Sequence, residues 1–597
     1  MPTDKFEELD EEGFSYFKDV SNLSEKKGKI LVIDLARETS SVEFVDSQII
    51  QTYVGGRALG LRLFAQYASS KRPRENPIVI APGALCNSKL PESNYFSVVF
   101  QSPVTEKVVS AKSNCDFGKH LIYLGYKAIV FLGALRKLGM VEIRKDVSFY
   151  FTERFFGMNS SEVEAFVKKS EDDRMIVTGK AADNLVPFAS VICGEAIIGR
   201  AGLGCLFGFK NLKVILVSSY GKNTVPFDLD KEQEARDKFI DVIENSNSYK
   251  TFSEKGTLLL FEKGNEKGFI PVDNFTLRCD PRAFYYTYDI VKRDLGEIEA
   301  QKYLPNGYCI FSMLGTNLGI FDSKKVNIFY KLCLEYGMDP VSVGNILGWA
   351  FEASKKGLLN NYEIKKDVDG ICKLIQELAS ITGFGIIGSR GVKIASQSVG
   401  DDKNGKEIDG LEVGPFDYRG FFSQAISDYQ GLNVYQFPEL LRTKKEKEKV
   451  NIPWVCYNEN IVLGIDSLGL SEAFIPSFFF EKPFIKRSFL KTFSSFGTRY
   501  MNSFTIPFFY QAFSGSPVKS GFVQHLGSLC YRLEQEVNLM IGPERESSFC
   551  EYFMVEPKSN HPSQEVVSFA KMFYSYKLYR KRLKFRLFHF KGFYFFS

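Results

Sequence analysis

Along the first third of the chain, short β-branched and aromatic runs alternate with Gly, Pro and Asn: "KILVIDLA", "SSVEFV", "NPIVIAPGAL", "NYFSVVFQS", "YKAIVFLGAL", "MVEIRKDVSFYF" and "LKVILVSS". Each has the length and punctuation of a strand, and ordered chain is expected from about Lys27. Beyond about Asp228 the apolar positions change to helical spacing, in "KEQEARDKFIDVIENS", "KKVNIFYKLCLEYGMD", "VSVGNILGWAFEASKKGLL", "DVDGICKLIQELASITG" and "GFVQHLGSLCYRLEQEVNLM". Several of these segments end in Gly, which accepts the left-handed conformation of a helix C-terminus. The pattern predicts an α+β fold with its strands first and its helices after. No internal repeat interrupts it.

The ends read differently. Residues 1–26 are charged and lack periodicity, so a loose, disordered leader that contributes little core is expected. Residues 401–410, "DDKNGKEIDG", read as a linker or surface turn, and residues 442–453 as a solvated loop or helix end. After Lys571 there is no acidic residue, and residues 577–597 mix seven Lys or Arg with aromatics. That tail is read as poorly ordered, or altered by a change of reading frame, in preference to an interfacial membrane helix.

A chain of 597 residues exceeds one ordinary core and predicts two to four domains. Its apolar fraction of 44% and charged fraction of 25% are those of a globular protein, and a net charge of +5 carries no nucleic-acid footprint. The acidic N-terminus is unlike a signal peptide, and no run approaches the roughly 18 apolar residues of a membrane span. A cytoplasmic location is the expectation. Eleven cysteines occur with no Cys-x-x-Cys pair, which predicts reduced, mostly buried thiols. Only four histidines exist, His120, His525, His561 and His589, too few and too scattered for an imidazole metal site.

Two stretches carry candidate chemistry. In residues 194–217, Gly199, Gly202 and Gly204 would let backbone approach a phosphate or a neighbouring chain, and Arg200 would supply charge. The spacing matches neither a Walker nor a dinucleotide loop. In residues 110–134 a Ser-Asn-Cys turn runs into a helix-like segment, whose N-terminus is a ready anion site. Cys115 reads as a structural thiol rather than a nucleophile, because nothing in the sequence supplies an activating geometry with His120.

Taken together and in order, these stretches resemble the tungsten-dependent aldehyde:ferredoxin oxidoreductase family. The resemblance covers about residues 27–540 and includes "GKILVIDLARETSSVEF", "YVGGRALGLRLF", "GRAGLGCLFGFKNLKVI", "KGTLLLFEKGNEKGFIPVDNF", "MLGTNLGIFD", "GFGIIGSRGVKIA", "PFDYRG" and "LGSLCYRLEQEVN". It implies a strand-rich N-terminal domain over residues 27–219 that forms a base under the pterins. Helical domains over 220–404 and 405–576 would then close the site. It also implies oxidation of aldehydes to carboxylates, a tungsten bis-pterin, a [4Fe-4S] cluster and ferredoxin as electron acceptor. "IDSLGLSEAF" resembles the family's second Asp-x-x-Gly-Leu-Cys turn, in which the Asp bonds a pterin and the Cys binds the cluster. Ser113, Asn114, Gly199, Arg200, Gly202, Asp466, Gly469 and Leu470 are the cofactor-binding positions carried over. The other reading of the 466–471 turn, a retained structural bend whose Asp caps backbone, stays open.

The chain departs from the family pattern where chemistry is densest. The cysteine run of the cluster is absent, leaving Cys309 with Ser312 and Thr316 at the next two ligand positions and Ser471 at the fourth. Hydroxyls are hard, high-pKa groups in place of soft thiolates. Leu334 stands for the first turn's Asp, Tyr95 and Ala196 for arginines, and Lys112 for an asparagine. Cys309 also falls at an acidic position, and Asn433 and Val434 replace a Cys-His pair. The expectation is therefore a family member of weak or no family activity, a pseudoenzyme without catalytic or metal-ligating residues of its own, for which the cluster is not expected. The alternatives are a non-catalytic scaffold or binding descendant, and an oxidoreductase whose rearranged pterin site lacks the cluster. Ferredoxin is a partner only if redox function survives; no nucleic-acid partner or membrane contact through the tail is expected, and a homodimer is left open.

Overall fold

The computed structural model describes residues 3–14, 28–221, 224–277, 280–419, 421–431, 451–481, 504–542 and 572–581. Its strand-rich part contains two six-stranded sheets. The first is built from β1 (Gly28–Asp34), β2 (Thr39–Val45), β3 (Ile78–Pro82), β4 (Phe96–Gln101), β5 (Val108–Ser113) and β6 (Ala128–Leu132), side by side in the order β2-β1-β6-β3-β4-β5. The second contains β7 (Gly139–Ile143), β8 (Val147–Phe151), β9 (Asp173–Thr178), β10 (Val191–Cys193), β11 (Ala196–Ile198) and β12 (Leu212–Ser218), in the order β11-β10-β9-β12-β7-β8. Among the described residues, only β1 with β6 and β7 with β12 pair in parallel.

Alternation along the strands decides what lies on each side. Leu31 and Ile33 of β1 and Ile78 and Ile80 of β3 share a core with Val141, Ile176 and Ile215 of the second sheet. Their neighbours Ile30, Val32, Val79 and Ala81 face the other way, into a core shared with the helices Gly56–Tyr67, Ile452–Leu468 and Phe522–Ile541. The first sheet is thus apolar on both faces, as a sheet between two layers must be.

The remainder is mainly helical. Ser323–Tyr336, Pro340–Lys355 and Val368–Ser380 follow Asp322, Asp339 and Asp367, whose carboxylates accept backbone N–H groups of the first turn. Gly337, at φ 68°, stops the first of these. All five long helices expected from the apolar spacing are present. No helix among the described residues is long and apolar enough to cross a membrane.

Four local expectations need correction. Residues Thr3–Phe14 of the supposed leader are helical; Phe6 and Leu9 are buried, and Asp10 accepts a hydrogen bond from the Tyr53 hydroxyl at 2.6 Å and pairs with Arg62 at 2.7 Å. The polar composition concealed two apolar residues one turn apart. Of the two readings of residues 401–410 the surface turn holds and the linker does not: Asp402 and Lys403 are exposed, but Asp401 is buried, accepting from Trp349 Nε1 at 3.1 Å and from the Lys356 ammonium at 3.0 Å. Residues 572–581 form a helix that carries the first residues of the expected tail into the core, with Tyr576 and Arg580 buried. Finally, the thiols are not all reduced, since Cys115 and Cys193 form a disulfide. Residues 442–450, Asn433, Val434, His561, His589 and 582–597 lie outside the described residues.

Candidate functional site

The helix Ile452–Leu468 is buried along nearly its whole length and ends at Gly469, whose φ of 76° reverses the chain toward Leu470, Ser471 and Glu472. This turn docks on the loop after β3. Leu85 N–H donates to Leu468 O at 2.8 Å, Ala84 N–H to Ser467 O at 3.2 Å, and Tyr95 N–H to Gly469 O at 3.3 Å. The two backbones approach so closely that a Cβ on Gly83 would lie 2.1 Å from Gly469 Cα. Leu470 is completely buried.

Asp466 serves neither a backbone cap nor an open socket. Its carboxylate takes the Lys112 ammonium at 2.8 Å and approaches the Arg57 guanidinium at 3.6 Å. Lys112, at the end of β5, also pairs with Glu472 and lies over the Tyr95 ring, 5.7 Å from its centroid. Arg57, in the helix Gly56–Tyr67, pairs with Glu534 of the helix Phe522–Ile541 at 2.8 Å. Two cations and three carboxylates from five segments therefore pair with one another, with the carboxylates in excess by one.

Burial opposes the charge on Lys112, but the carboxylates of Asp466 and Glu472 win and hold its ammonium above the ordinary lysine range. Burial raises Glu472 and Glu534, against the pull of Lys112 and Arg57 respectively. Arg57 and Glu534 are 1% exposed, whereas the side chains of Lys112 and Glu472 keep 26% and 25%. The Lys112 end of the cluster is the accessible one.

The glycine-rich loop is fastened separately. Gly199 and Gly202 have φ of 90° and 85°, and Gly202 begins the helix Leu203–Phe209. A Cβ on Gly204 would lie 2.5 Å from Ser190 O, so this glycine admits a neighbouring chain. Arg200 pairs with Asp339 at 3.4 Å and donates to the backbone carbonyl of Glu412, fastening the loop to the helical region. In the same motif, Lys210 donates to the carbonyls of Arg74, Asn76 and Gly133, and Lys213 pairs with Asp183 at 2.6 Å. Both lysines are buried and act on the fold.

Burial pushes the Cys309 thiol up to about 12, with the charge of Arg200 acting against it and those of Asp339 and Glu472 with it. Ser312 Oγ donates to Cys309 O at 3.2 Å, Thr316 Oγ1 lies 2.5 Å from Pro271 O, and Ser471 Oγ accepts from Ala473 N–H at 3.3 Å. Ser113 Oγ accepts from Cys115 N–H at 3.3 Å, and Asn114 is exposed. The Cys115–Cys193 bond joins this turn to the strand that leads into the glycine-rich loop, so Cys115 is no nucleophile. Sequence reasoning saw Lys112 only as a lost asparagine and passed over Arg57, Glu472 and Glu534. The available signal was a charge within an apolar helical run, as in "GGRALG" and "YRLEQE".

The model of the aldehyde ferredoxin oxidoreductase N-terminal domain matches residues 30–219, and that of domains 2 and 3 matches residues 234–582. The chain belongs to the aldehyde ferredoxin oxidoreductase family. The tungsten-containing aldehyde ferredoxin oxidoreductase of Pyrococcus furiosus is 28% identical over 442 residues, 66% of this chain and 70% of that protein. Its namesake from Thermococcus kodakarensis is 29% identical over 374 residues, 56% of this chain and 60% of the other. The WOR-like subunit of the aliphatic sulfonate oxidoreductase of P. furiosus is 24% identical over 443 residues, 65% and 68% of the two chains. Among solved structures, the active-site complex BamBC of benzoyl coenzyme A reductase with 1,5-dienoyl-CoA superposes with a TM-score of 0.72. That match covers 93% of this chain and 94% of the other at 17% identity, a likeness of fold. A tungsten–pterin cofactor is what the family leads one to expect.

Proposed function

We propose that this chain is a family member without aldehyde oxidoreductase activity, in which an internal ion-pair cluster takes over contacts that a cofactor would make. The observation that carries this reading is the Lys112 ammonium on the Asp466 carboxylate at 2.8 Å. A pterin bound at Asp466 would have to displace a cation already satisfied there, and an anionic group at Arg200 would compete with Asp339. Each charge-assisted contact is worth about 1.5–3 kcal/mol, so losing two or three weakens binding by several powers of ten.

The donor set does not fit the cluster. Cys309 is a single, strongly protonated thiol, and the hydroxyls of Ser312, Thr316 and Ser471 are committed to the chain's own backbone. Among the described residues no group of three or more His, Cys, Asp or Glu is arranged to hold a metal ion.

Metal analysis of the purified chain, with its visible absorbance, tests the proposal. A colourless protein with no stoichiometric tungsten, molybdenum or iron is the expected outcome, and tungsten together with iron at one cluster per chain would overturn it. Tungsten or molybdenum without iron would establish the second reading, an oxidoreductase with a rearranged pterin site. The retention of both Arg200 and Asp466 favours that alternative, and ferredoxin is a partner only under it.

A further inference from the structure

The outer face of the second sheet carries a cavity of about 290 Å³ between the β7–β8 hairpin and the helix Ser160–Val167. It shares no residue with the cluster around Asp466. Its floor is apolar: Met140, Leu216, Phe155 and Val167 are all buried. Its walls are aromatic and open, with Tyr150 46% and Phe166 52% exposed, although Phe166 packs edge-on against Phe155 at 5.8 Å. Large apolar side chains grouped at an open mouth are what a ligand or partner site presents.

The charge at this mouth is one-sided. Glu142 lines the cavity, but the Arg144 guanidinium holds its carboxylate at 2.6 Å, and Arg144 reaches Asp173 as well at 3.0 Å. The other two charged lining residues are Arg154 and Lys169. Neither has an ion-pair partner among the described residues; the Lys169 ammonium lies only at the limit of the Tyr150 ring, 5.9 Å from its centroid. Glu142 and Asp173 share one guanidinium, so with Arg154 and Lys169 the mouth carries a net positive charge of one over an apolar floor.

We propose that this cavity binds a small amphipathic monoanion, a carboxylate with an apolar body the size of one aromatic ring or a short alkyl chain. The volume lies just below the usual range of ligand pockets, roughly 300–1,000 Å³, and suits a body of one aromatic ring or a short alkyl chain. The floor rewards burial of the apolar body, while Arg154 and Lys169 supply charge-assisted donors that a neutral ligand would leave unused. A cationic ligand would meet repulsion.

The test uses the full chain with benzoate as probe, and benzyl alcohol and benzylammonium as neutral and cationic counterparts of similar shape, followed by ligand-observed NMR and titration calorimetry. Benzoate is expected to bind and the two counterparts to bind at least roughly tenfold more weakly, the equivalent of one charge-assisted contact. The R154E/K169E double variant is expected to weaken benzoate by a similar factor, and Phe166→Ala by about threefold or more through lost aromatic contact. Both changes fall on exposed side chains, and unchanged circular dichroism and melting temperature verify the fold. Absence of benzoate binding overturns the proposal, as does equal binding of benzyl alcohol. Benzoate binding indifferent to both variants overturns it too, because the ligand would then sit elsewhere.

Discussion

Lys112 and Asp466 are 354 positions apart in sequence and 2.8 Å apart in space, tying the last residues of β5 to the end of the helix Ile452–Leu468. With Glu472 on the same ammonium and Arg57 on the same carboxylate, the pair is the accessible end of a charge cluster that crosses from the sheet to the helices.

Replacing Lys112 by Met leaves Glu472 without the cation that holds it and Asp466 with Arg57 alone. Breaking a fully buried pair costs about 3–5 kcal/mol, and the partial exposure of Lys112 reduces this to about 1–3 kcal/mol. The urea midpoint is expected to fall, and the K112M/E472Q double variant to recover part of the loss because it removes a stranded carboxylate. A Lys112→Met protein as stable as the parent would show that the cluster is incidental, and would remove the support for a site closed by its own side chains.

How much of this was legible in the sequence follows from the range of each interaction. Leu31 and Ile33 against Ile30 and Val32 announce a strand with two buried faces, and Asp322, Asp339 and Gly337 announce where helices begin and end, because every signal lies within a few residues of its effect. The ion pairs do not work that way. Lys112 reads as the loss of an asparagine when its partner is 354 residues distant, and Arg580 reads as one more charge in a basic tail when Glu459 is out of view. The glycine-rich loop stayed open between a phosphate and a neighbouring chain for a related reason: the segments that Gly204, Lys210 and Lys213 meet are distant in sequence or invisible in its spacing.

Lys210 makes the fold's stability sensitive to pH. Burial pushes its ammonium from 10.5 down to about 7, although three carbonyl oxygens at 2.8, 2.9 and 2.8 Å match its three N–H groups. A base whose folded pKa is depressed penalises folding fully below the folded value, and the penalty is relieved as pH rises toward the unfolded value. Between pH 7 and 10.5 the unfolded chain binds the extra proton, so the stability of the parent relative to Lys210→Met should rise with pH, by at most about 1.4 kcal/mol per unit. Denaturation of both proteins at pH 7, 8 and 9 measures this. A difference independent of pH would mean that the carbonyl cage holds the lysine charged throughout.

The disulfide predicts a redox-dependent stability. Cys115 and Cys193 are 78 positions apart, and a cross-link closing a loop of that length stabilises by about 4 kcal/mol in the chain-entropy account. Alkylation followed by mass spectrometry should find both cysteines protected until reductant is added, and reduction or Cys115→Ser should lower the melting temperature. If both thiols alkylate in the folded, unreduced protein, the expectation of free buried thiols stands after all and the turn and the strand are held by packing alone.

The helix at residues 572–581 decides whether the C-terminal end is part of the fold. Glu459 has a fully buried side chain and receives Arg580, the Tyr576 hydroxyl at 2.7 Å and the Ser427 hydroxyl at 2.6 Å; Arg580 also lies over the Tyr531 ring at 4.0 Å and donates to Asn460 at 2.6 Å. Three donors from two segments converge on one carboxylate, and a buried charge is tolerated only while its partners stay. Arg580→Ala should therefore cost about 3–5 kcal/mol, more than the loss of a surface ion pair at about 0–1 kcal/mol. The E459Q/R580M pair, which removes both charges, should cost less than Arg580→Ala alone, and that inversion is the decisive reading, because a helix resting on the surface would give small and additive effects. Arg580→Ala within 0.5 kcal/mol of the parent would make this helix a passenger, with Glu459 sustained by the Ser427 hydroxyl.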